Sequence, residues 1–130
     1  MGDHIDGLSI AFPATSGYLT VSRLNAAAVG AAAGFDVDEI DDFRLAVNEA
    51  VSWLVADADA GGTVELVMHA ADGRVRLDGF RRTPSLPERD SDDLIEAILG
   101  ATVDEFELKG RANGERRVHL GKRCAAKNGG

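Results

Sequence analysis

Few side chains in this chain could do chemistry, and the most suggestive of them share one segment. Glu49, Ser52 and Trp53 lie within about one helical turn of each other, at the end of the run Asp-Phe-Arg-Leu-Ala-Val-Asn-Glu-Ala-Val-Ser-Trp. A carboxylate on a helix can serve as a general base, and a hydroxyl oxygen can approach a cation. An indole offers a cation no oxygen. Asp78, in a later Asp-Gly pair, is the other carboxylate whose position suggests a site.

The histidines and the cysteine form no catalytic or metal-binding pattern. His4, His69 and His119 lie in separate segments without the spacing of ligands, so no metal site is predicted. The single Cys124 excludes a disulfide framework and is typical of a reducing compartment. Residues from Cys124 onward are expected to be a frayed tail.

The segment that carries Glu49 and Trp53 predicts the clearest helix. Asp36 or Asp38 supplies its N-terminal cap, and acidic residues in the first turn complement the helix dipole. We expect this helix to end near Asp59, before a Gly-Gly pair. Apolar residues recur along it at helical spacing: Ile40, Phe43, Val47, Val51 and Leu54.

An earlier helix is predicted between Thr15 or Ser16, as the cap, and about Ala33. It follows an alternating strand at residues 8–12. Its second half consists almost entirely of alanine and glycine, so another element can approach its backbone closely. One face is expected to gather these residues: Tyr18, Val21, Leu24 or Asn25, Ala28 and Ala32.

Four strand-like runs and one short helix at 94–99 complete the chain. Asp-Gly at 72–73 and Asn-Gly at 113–114 are hairpin signals, because a type I′ turn needs positive φ at both positions. The adjacent Arg81 and Arg82 are expected to be solvated. The order β-α-α-β-β-α-β-β is typical of an α+β two-layer sandwich, with helices on one face of a mostly antiparallel sheet.

Composition and charge limit the classes of partner. The chain has 130 residues, of which 45% are hydrophobic and 28% charged, so one globular domain is predicted over 1–130 with an ordered core at about 7–123. A formal charge of -8 repels phosphates, which excludes nucleic acid and an anionic membrane surface as expected partners. Residues 1–9 lack the features of a signal peptide, and a cytoplasmic location is expected.

The helix that carries Glu49 also carries a family resemblance. Ser22-Arg23-Leu24, Gly34-Phe35 and the run that ends at Glu49-Ala50-Val51 resemble the anti-sigma-factor serine kinases, small members of the histidine-kinase-like and Hsp90-like (GHKL, Bergerat-fold) ATPase superfamily. The resemblance implies that Glu49 matches the family's general base. It also implies a Bergerat-like fold that binds ATP with magnesium.

The same resemblance exposes departures from the family's nucleotide motifs. The magnesium-holding asparagine, four residues after the glutamate, is replaced by Trp53, which is expected to fill the vacated cavity. Asp78 matches the family's adenine-reading aspartate, but Phe80 stands where the motif has glycine. The phosphate-cradling glycines are replaced by Asp-Ser-Asp-Asp at 90–93, and the preceding segment is shorter than the family's ATP lid. Asp78, Ser52 and Trp53 would then be what remains of the nucleotide pocket.

Two functions follow as expectations from this resemblance. The first is a degenerate regulator that binds a protein partner, a sigma factor or an anti-sigma antagonist, with impaired or absent ATP binding and a possible homodimer. The alternative is an active serine/threonine kinase that uses Glu49 as its base and holds Mg-ATP in a non-standard way. A third possibility is a pocket for another small molecule, with Trp53 and Phe80 as stacking surfaces.

Overall fold

The computed structural model describes residues 4–111 and 113–125. Five strands form one sheet in the order β1-β2-β3-β5-β4, and every neighbouring pair is antiparallel. Three helices pack on one face of this sheet, as the element order predicted. The strands are β1 (Ile5–Pro13), β2 (Thr63–Ala71), β3 (Arg74–Arg82), β4 (Glu105–Arg111) and β5 (Glu115–Arg123), and the helices are α1 (Leu19–Ala32), α2 (Val37–Val55) and α3 (Asp93–Thr102).

Local signals account for the hairpin between β2 and β3 and for the start of α2. Asp72 and Gly73 have φ values of 54° and 74°, so both adopt the left-handed conformation that the two-residue turn requires. Asp36 is the N-terminal cap of α2 and forms a capping box with Glu39: each side chain accepts a 2.8 Å hydrogen bond from the other residue's backbone N–H.

The core lies between α2 and the inner face of the sheet. On α2, Phe43, Val47, Val51 and Leu54 are fully buried, in agreement with the predicted helical periodicity. The sheet contributes alternate residues of its central strands: Val64, Leu66, Met68, Val75, Leu77, Val118 and Leu120.

The predicted cap of α1 is wrong. Thr15 precedes a single 3-10 turn, Ser16–Tyr18, and its side chain makes no capping hydrogen bond. The residues of α1 that are buried are small or β-branched: Ser22, Ala26, Val29 and Gly30. The residues predicted to share one face include Val21 and Leu24, which are 42% and 66% exposed. The buried face packs closely against the start of α2, because a Cβ on Gly30 would lie 3.1 Å from Phe35 and 3.5 Å from Ile40.

Two predicted boundaries also differ. The helix α2 ends at Val55, four residues before Asp59. Cys124 is not frayed: its backbone N–H donates to the Gly73 carbonyl at 2.8 Å, and its side chain is half-buried. The predicted frayed segment at 126–130 lies outside the described residues. No helix in the described part of the chain is long and apolar enough to cross a membrane.

Candidate functional site

The residues expected at a nucleotide site on α2 occupy its C-terminal half. Glu49 and Ser52 are half-buried, and Trp53 is 3% exposed. Glu49 and Trp53 lie four residues apart, so their side chains project from the same face of the helix. This face lies towards α3, the segment before α3, and the inner side of β5.

Trp53 is held in place at both the ring and the indole nitrogen. Its Nε1–H donates a 3.2 Å hydrogen bond to the backbone carbonyl of Asp90, in the segment between β3 and α3. The guanidinium carbon of Arg116 lies 6.0 Å from the ring centroid, at the outer limit of a cation–π contact. The indole therefore joins α2 to this segment and to β5.

Arg81, on the inner face of β3, binds the carbonyls at the C-terminal end of α2. Its side chain is completely buried, and its guanidinium donates to the carbonyls of Leu54 at 2.8 Å and Ala56 at 2.6 Å. Further hydrogen bonds reach the carbonyls of Asp57 at 2.9 Å and Gly61 at 2.8 Å. A cation that satisfies the free carbonyls at a helix C-terminus also complements the helix dipole. The expectation that Arg81 is solvated is therefore wrong, and this contact is the reason that α2 stops at Val55.

Arg116 lies opposite Arg81 in the β3–β5 register and is also completely buried. It donates to the Ala56 carbonyl at 2.7 Å, to the Asp57 carboxylate at 2.7 Å and to the Pro87 carbonyl at 3.0 Å. Burial and the neighbouring Arg116 charge lower the pKa of Arg81. The hydrogen bond from Arg116 lowers the pKa of Asp57, which keeps that carboxylate charged beside the two arginines.

The segment of residues 83–92 connects β3 to α3 and closes over this end of α2; we call it the 83–92 connection. Leu86 within it is buried, and Arg89 lies 4.0 Å from the Asp57 carboxylate. A side chain at Gly110 would overlap the Arg89 carbonyl, and one at Gly114 would overlap the Thr83 carbonyl. The two glycines therefore let the 83–92 connection approach β4 and β5 at backbone distance.

The acidic start of α3 is used locally. The Asp92 carboxylate accepts a 2.8 Å hydrogen bond from the Ile95 backbone N–H and caps the helix. Asp93 lies in the first turn, where its charge complements the dipole. Both acidic side chains therefore stabilise the N-terminus of α3.

Asp78 lies on the opposite face of the sheet from Glu49 and Trp53. It is exposed and pairs with His119 Nδ1 at 2.9 Å and with Arg76 Nε at 3.4 Å. Burial would lower the pKa of His119, but its hydrogen bonds to Glu105 and Asp78 outweigh burial and raise that pKa. The structure therefore does not bring Asp78 together with Ser52 and Trp53 in one pocket.

Phe80 also faces away from α2, with the Arg117 guanidinium 4.3 Å above its ring. It cannot form a stacking site with Trp53, so the predicted pairing of these two aromatics is wrong. The cause is strand parity, since Asp78 and Phe80 alternate with the buried Leu77, Gly79 and Arg81.

Arg81 and Arg116 are the residues of this site that the motifs did not identify. The sequence contains a signal for both arginines, because inward-facing and outward-facing residues alternate along each strand. Arg81 lies an even number of residues from the inward-facing Val75 and Leu77, and Arg116 from Val118 and Leu120. Charge alone predicts a solvated Arg81, whereas strand parity predicts a buried one.

The fold, with three helices on one face of an antiparallel sheet, is similar to that of a solved RsbW domain. A crystal structure of the RsbU and RsbW domains of Rv1364c from Mycobacterium tuberculosis has a TM-score of 0.69 and 25% identity to this chain. It matches 92% of this chain, which spans about a third (32%) of that crystallised protein.

Among curated proteins, the chain is 29% identical over 121 residues to the serine-protein kinase RsbW of Halalkalibacterium halodurans. The match covers 78% of this chain and 75% of that protein. No family model matches the chain. Together, the two likenesses support the assignment of this chain to the anti-sigma-factor kinase family with a GHKL-type fold.

Proposed function

We propose that this protein is a nucleotide-independent member of the anti-sigma-factor family, which regulates by binding another protein and transfers no phosphate. The observation that carries the proposal is Trp53, buried four residues after Glu49 and hydrogen-bonded to the Asp90 carbonyl. A cytoplasmic location stays a prediction from the sequence.

The residues around Glu49 do not fit a magnesium ion with its nucleotide. Magnesium needs oxygen ligands in octahedral geometry, and the indole of Trp53 supplies none. Ser52 alone offers one neutral hydroxyl on the neighbouring part of the helix. A nucleotide bound there would have no charged aspartate for its adenine, because Asp78 lies on the other face of the sheet.

The two buried guanidinium groups at the C-terminal end of α2 already have hydrogen-bond partners within the protein. Arg81 and Arg116 bind five carbonyl groups and one carboxylate of the protein itself, those of Leu54, Ala56, Asp57, Gly61 and Pro87 with the Asp57 side chain. A phosphate could recruit these guanidinium groups only by leaving buried carbonyls without donors, which costs about 1–3 kcal/mol for each group.

The outer face of α1 supports the protein-binding part of the proposal. Val21, Leu24, Ala28 and Ala31 are exposed at spacings of three and four residues, so they form one apolar stripe along the helix. Arg23 is the single charged residue of α1, and its guanidinium is already bonded to Asn48 on α2 at 2.7 Å. An exposed helix with so little charge is typical of an interface. By family resemblance, its occupant is a sigma factor, an anti-sigma antagonist or a second copy of the chain.

Isothermal titration with ATP and magnesium tests the nucleotide half of the proposal. We expect no binding at micromolar ATP. We also expect none in Trp53→Asn, which restores the family's amide, because Arg81 and Arg116 stay bound to the protein's own carbonyls and Asp78 stays on the other face of the sheet. Trp53→Phe is the control, because it keeps an aromatic ring at this position but loses the hydrogen bond to the Asp90 carbonyl.

A micromolar dissociation constant for the parent protein would contradict the proposal. So would phosphate transfer from ATP to a candidate partner that is lost in Glu49→Ala, since that result would assign Glu49 a catalytic role.

A further inference from the structure

A polar cavity lies on the open face of the sheet, at the end that carries the β2–β3 turn. It has a volume of about 440 Å³, and its walls include the side chains of Arg74, Arg76 and Arg123. Ala71 and Gly121 also line the cavity, and the Glu105 side chain lies over Gly121. A cavity of this volume accommodates a small molecule. We call it the hairpin-end cavity.

The strand register brings like charges together in the hairpin-end cavity. Arg74 on β3 is directly opposite Arg123 on β5, and Arg76 is opposite Gly121. Directly opposed side chains of an antiparallel pair lie on the same face with Cβ atoms about 5 Å apart, and like charges there are destabilising. An anion between these two guanidinium groups would relieve their repulsion.

Three carboxylates also line the cavity, those of Asp72, Asp104 and Glu105, and the last two have other partners. Asp104 accepts a 2.7 Å hydrogen bond from the backbone N–H of Arg123. Glu105 leans across Gly121 and is 3.0 Å from His119 Nε2. Within residues 4–111 and 113–125, neither the Arg74 nor the Arg123 guanidinium has a carboxylate oxygen within 4.0 Å.

We propose that the hairpin-end cavity binds a phosphate dianion, held between the guanidinium groups of Arg74 and Arg123 with Arg76 beside them. Guanidinium groups match phosphate oxygens with two parallel hydrogen bonds each, and a dianion neutralises both opposed charges. The phosphate belongs either to a small metabolite or to a phosphorylated side chain of another protein. This site lies on the opposite face of the sheet from Trp53, so it does not depend on the proposed function.

Amide-resolved NMR titration tests this site on the full chain. The probes are inorganic phosphate, glycerol 3-phosphate and a phosphoserine peptide. We expect saturable shifts at the amides of residues 73–76 and 121–123, and no comparable shifts around Trp53. Tighter binding of glycerol 3-phosphate would identify a metabolite site, and tighter binding of the peptide a phosphoprotein site.

The variant Arg74→Gln/Arg123→Gln should weaken phosphate binding at least tenfold, because it removes two charge-assisted contacts. Its control, Arg44→Gln/Arg82→Gln, removes the same net charge from exposed positions and should bind phosphate like the parent protein.

Thermal unfolding supplies a second readout of the same variants. Phosphate should raise the melting temperature of the parent and of the control, but not that of Arg74→Gln/Arg123→Gln. Shifts that do not saturate, or equal affinities in the parent and in Arg74→Gln/Arg123→Gln, would overturn the proposal.

Discussion

Two buried arginines determine how the central helix of this protein ends. Arg81 and Arg116 face each other across β3 and β5, where two like charges would repel each other in the interior. They are stabilised there because Arg81 donates to the Leu54 carbonyl and Arg116 donates to the Asp57 carboxylate, so each charge is paired or hydrogen-bonded. The pair satisfies the carbonyls at the C-terminus of α2, just before Asp57, which adopts the left-handed conformation.

Replacing Arg81 with Met should therefore be severely destabilising. The substitution keeps much of the volume but leaves the carbonyls of Leu54 and Ala56 without one of their donors. We expect the free energy of unfolding to fall by about 3 kcal/mol or more, measured by urea denaturation.

The adjacent Arg82 provides the control for this measurement. Its side chain is 67% exposed and 3.7 Å from Glu115, so Arg82→Met should change the free energy of unfolding by only about 0.5 kcal/mol. Equal effects of the two substitutions would show that the buried hydrogen bonds contribute little.

At the level of secondary-structure elements, the 83–92 connection contains no helix or strand, yet side chains of other elements hold it at specific positions. It is held by Trp53 at the Asp90 carbonyl, by Arg116 at the Pro87 carbonyl and by the buried Leu86. None of these contacts requires a ligand. The connection is therefore closed by the protein's own side chains.

Gly110→Ala should open the 83–92 connection, because the new Cβ would overlap the Arg89 carbonyl, and backbone cannot rotate away as a side chain can. We expect a loss of about 1–3 kcal/mol in stability and faster hydrogen exchange at residues 86–92.

Gly100→Ala is the comparison for that experiment. Its Cβ would have nothing nearer than Phe106 at 4.0 Å, and alanine favours the helix interior, so stability should stay constant or rise by up to about 1 kcal/mol. Unchanged exchange at residues 86–92 in Gly110→Ala would contradict the role given to this glycine.

For the molecule as a whole, the two layers present different outer surfaces. The helical layer carries the apolar stripe of α1, which contains Val21 and Leu24. The open face of the sheet is charged, with Asp78, His119 and Glu105 in one hydrogen-bonded row. Binding of a protein partner at α1 and of a phosphate at the sheet could therefore occur together without competition for space.

Leu24→Glu should abolish association with a protein partner while leaving the fold intact. Leu24 is 66% exposed, so the new carboxylate stays in water in the free protein but would be desolvated in an apolar interface. We expect at least a tenfold loss of affinity for a cognate sigma factor or antagonist, or dissociation of a homodimer in sedimentation experiments.

The matched substitution is Leu94→Glu on α3, at a residue that is 71% exposed. It should bind and sediment like the parent protein. If Leu94→Glu loses the partner and Leu24→Glu does not, the interface lies on α3.

Much of this fold followed from short-range patterns. The element order, the Asp-Gly turn, the Asp36 cap and the buried stripe of α2 depend on residues close together in sequence, so periodicity and capping rules predicted them. The expectation that Trp53 stands where related kinases have a metal-ligating amide also rests on the sequence alone, since it needs only the position of Glu49 on the helix.

Contacts between distant segments determined the rest. The buried face of α1 depends on how closely Gly30 meets Phe35, and the burial of Arg81 and Arg116 depends on the carbonyls that α2 places above them. Asp78 matched a motif by position, yet the strand turned it to the other face of the sheet. Which side of a strand meets the helices is set by the pairing of the whole sheet, because burial against another layer stabilises a side only after the layers have come together.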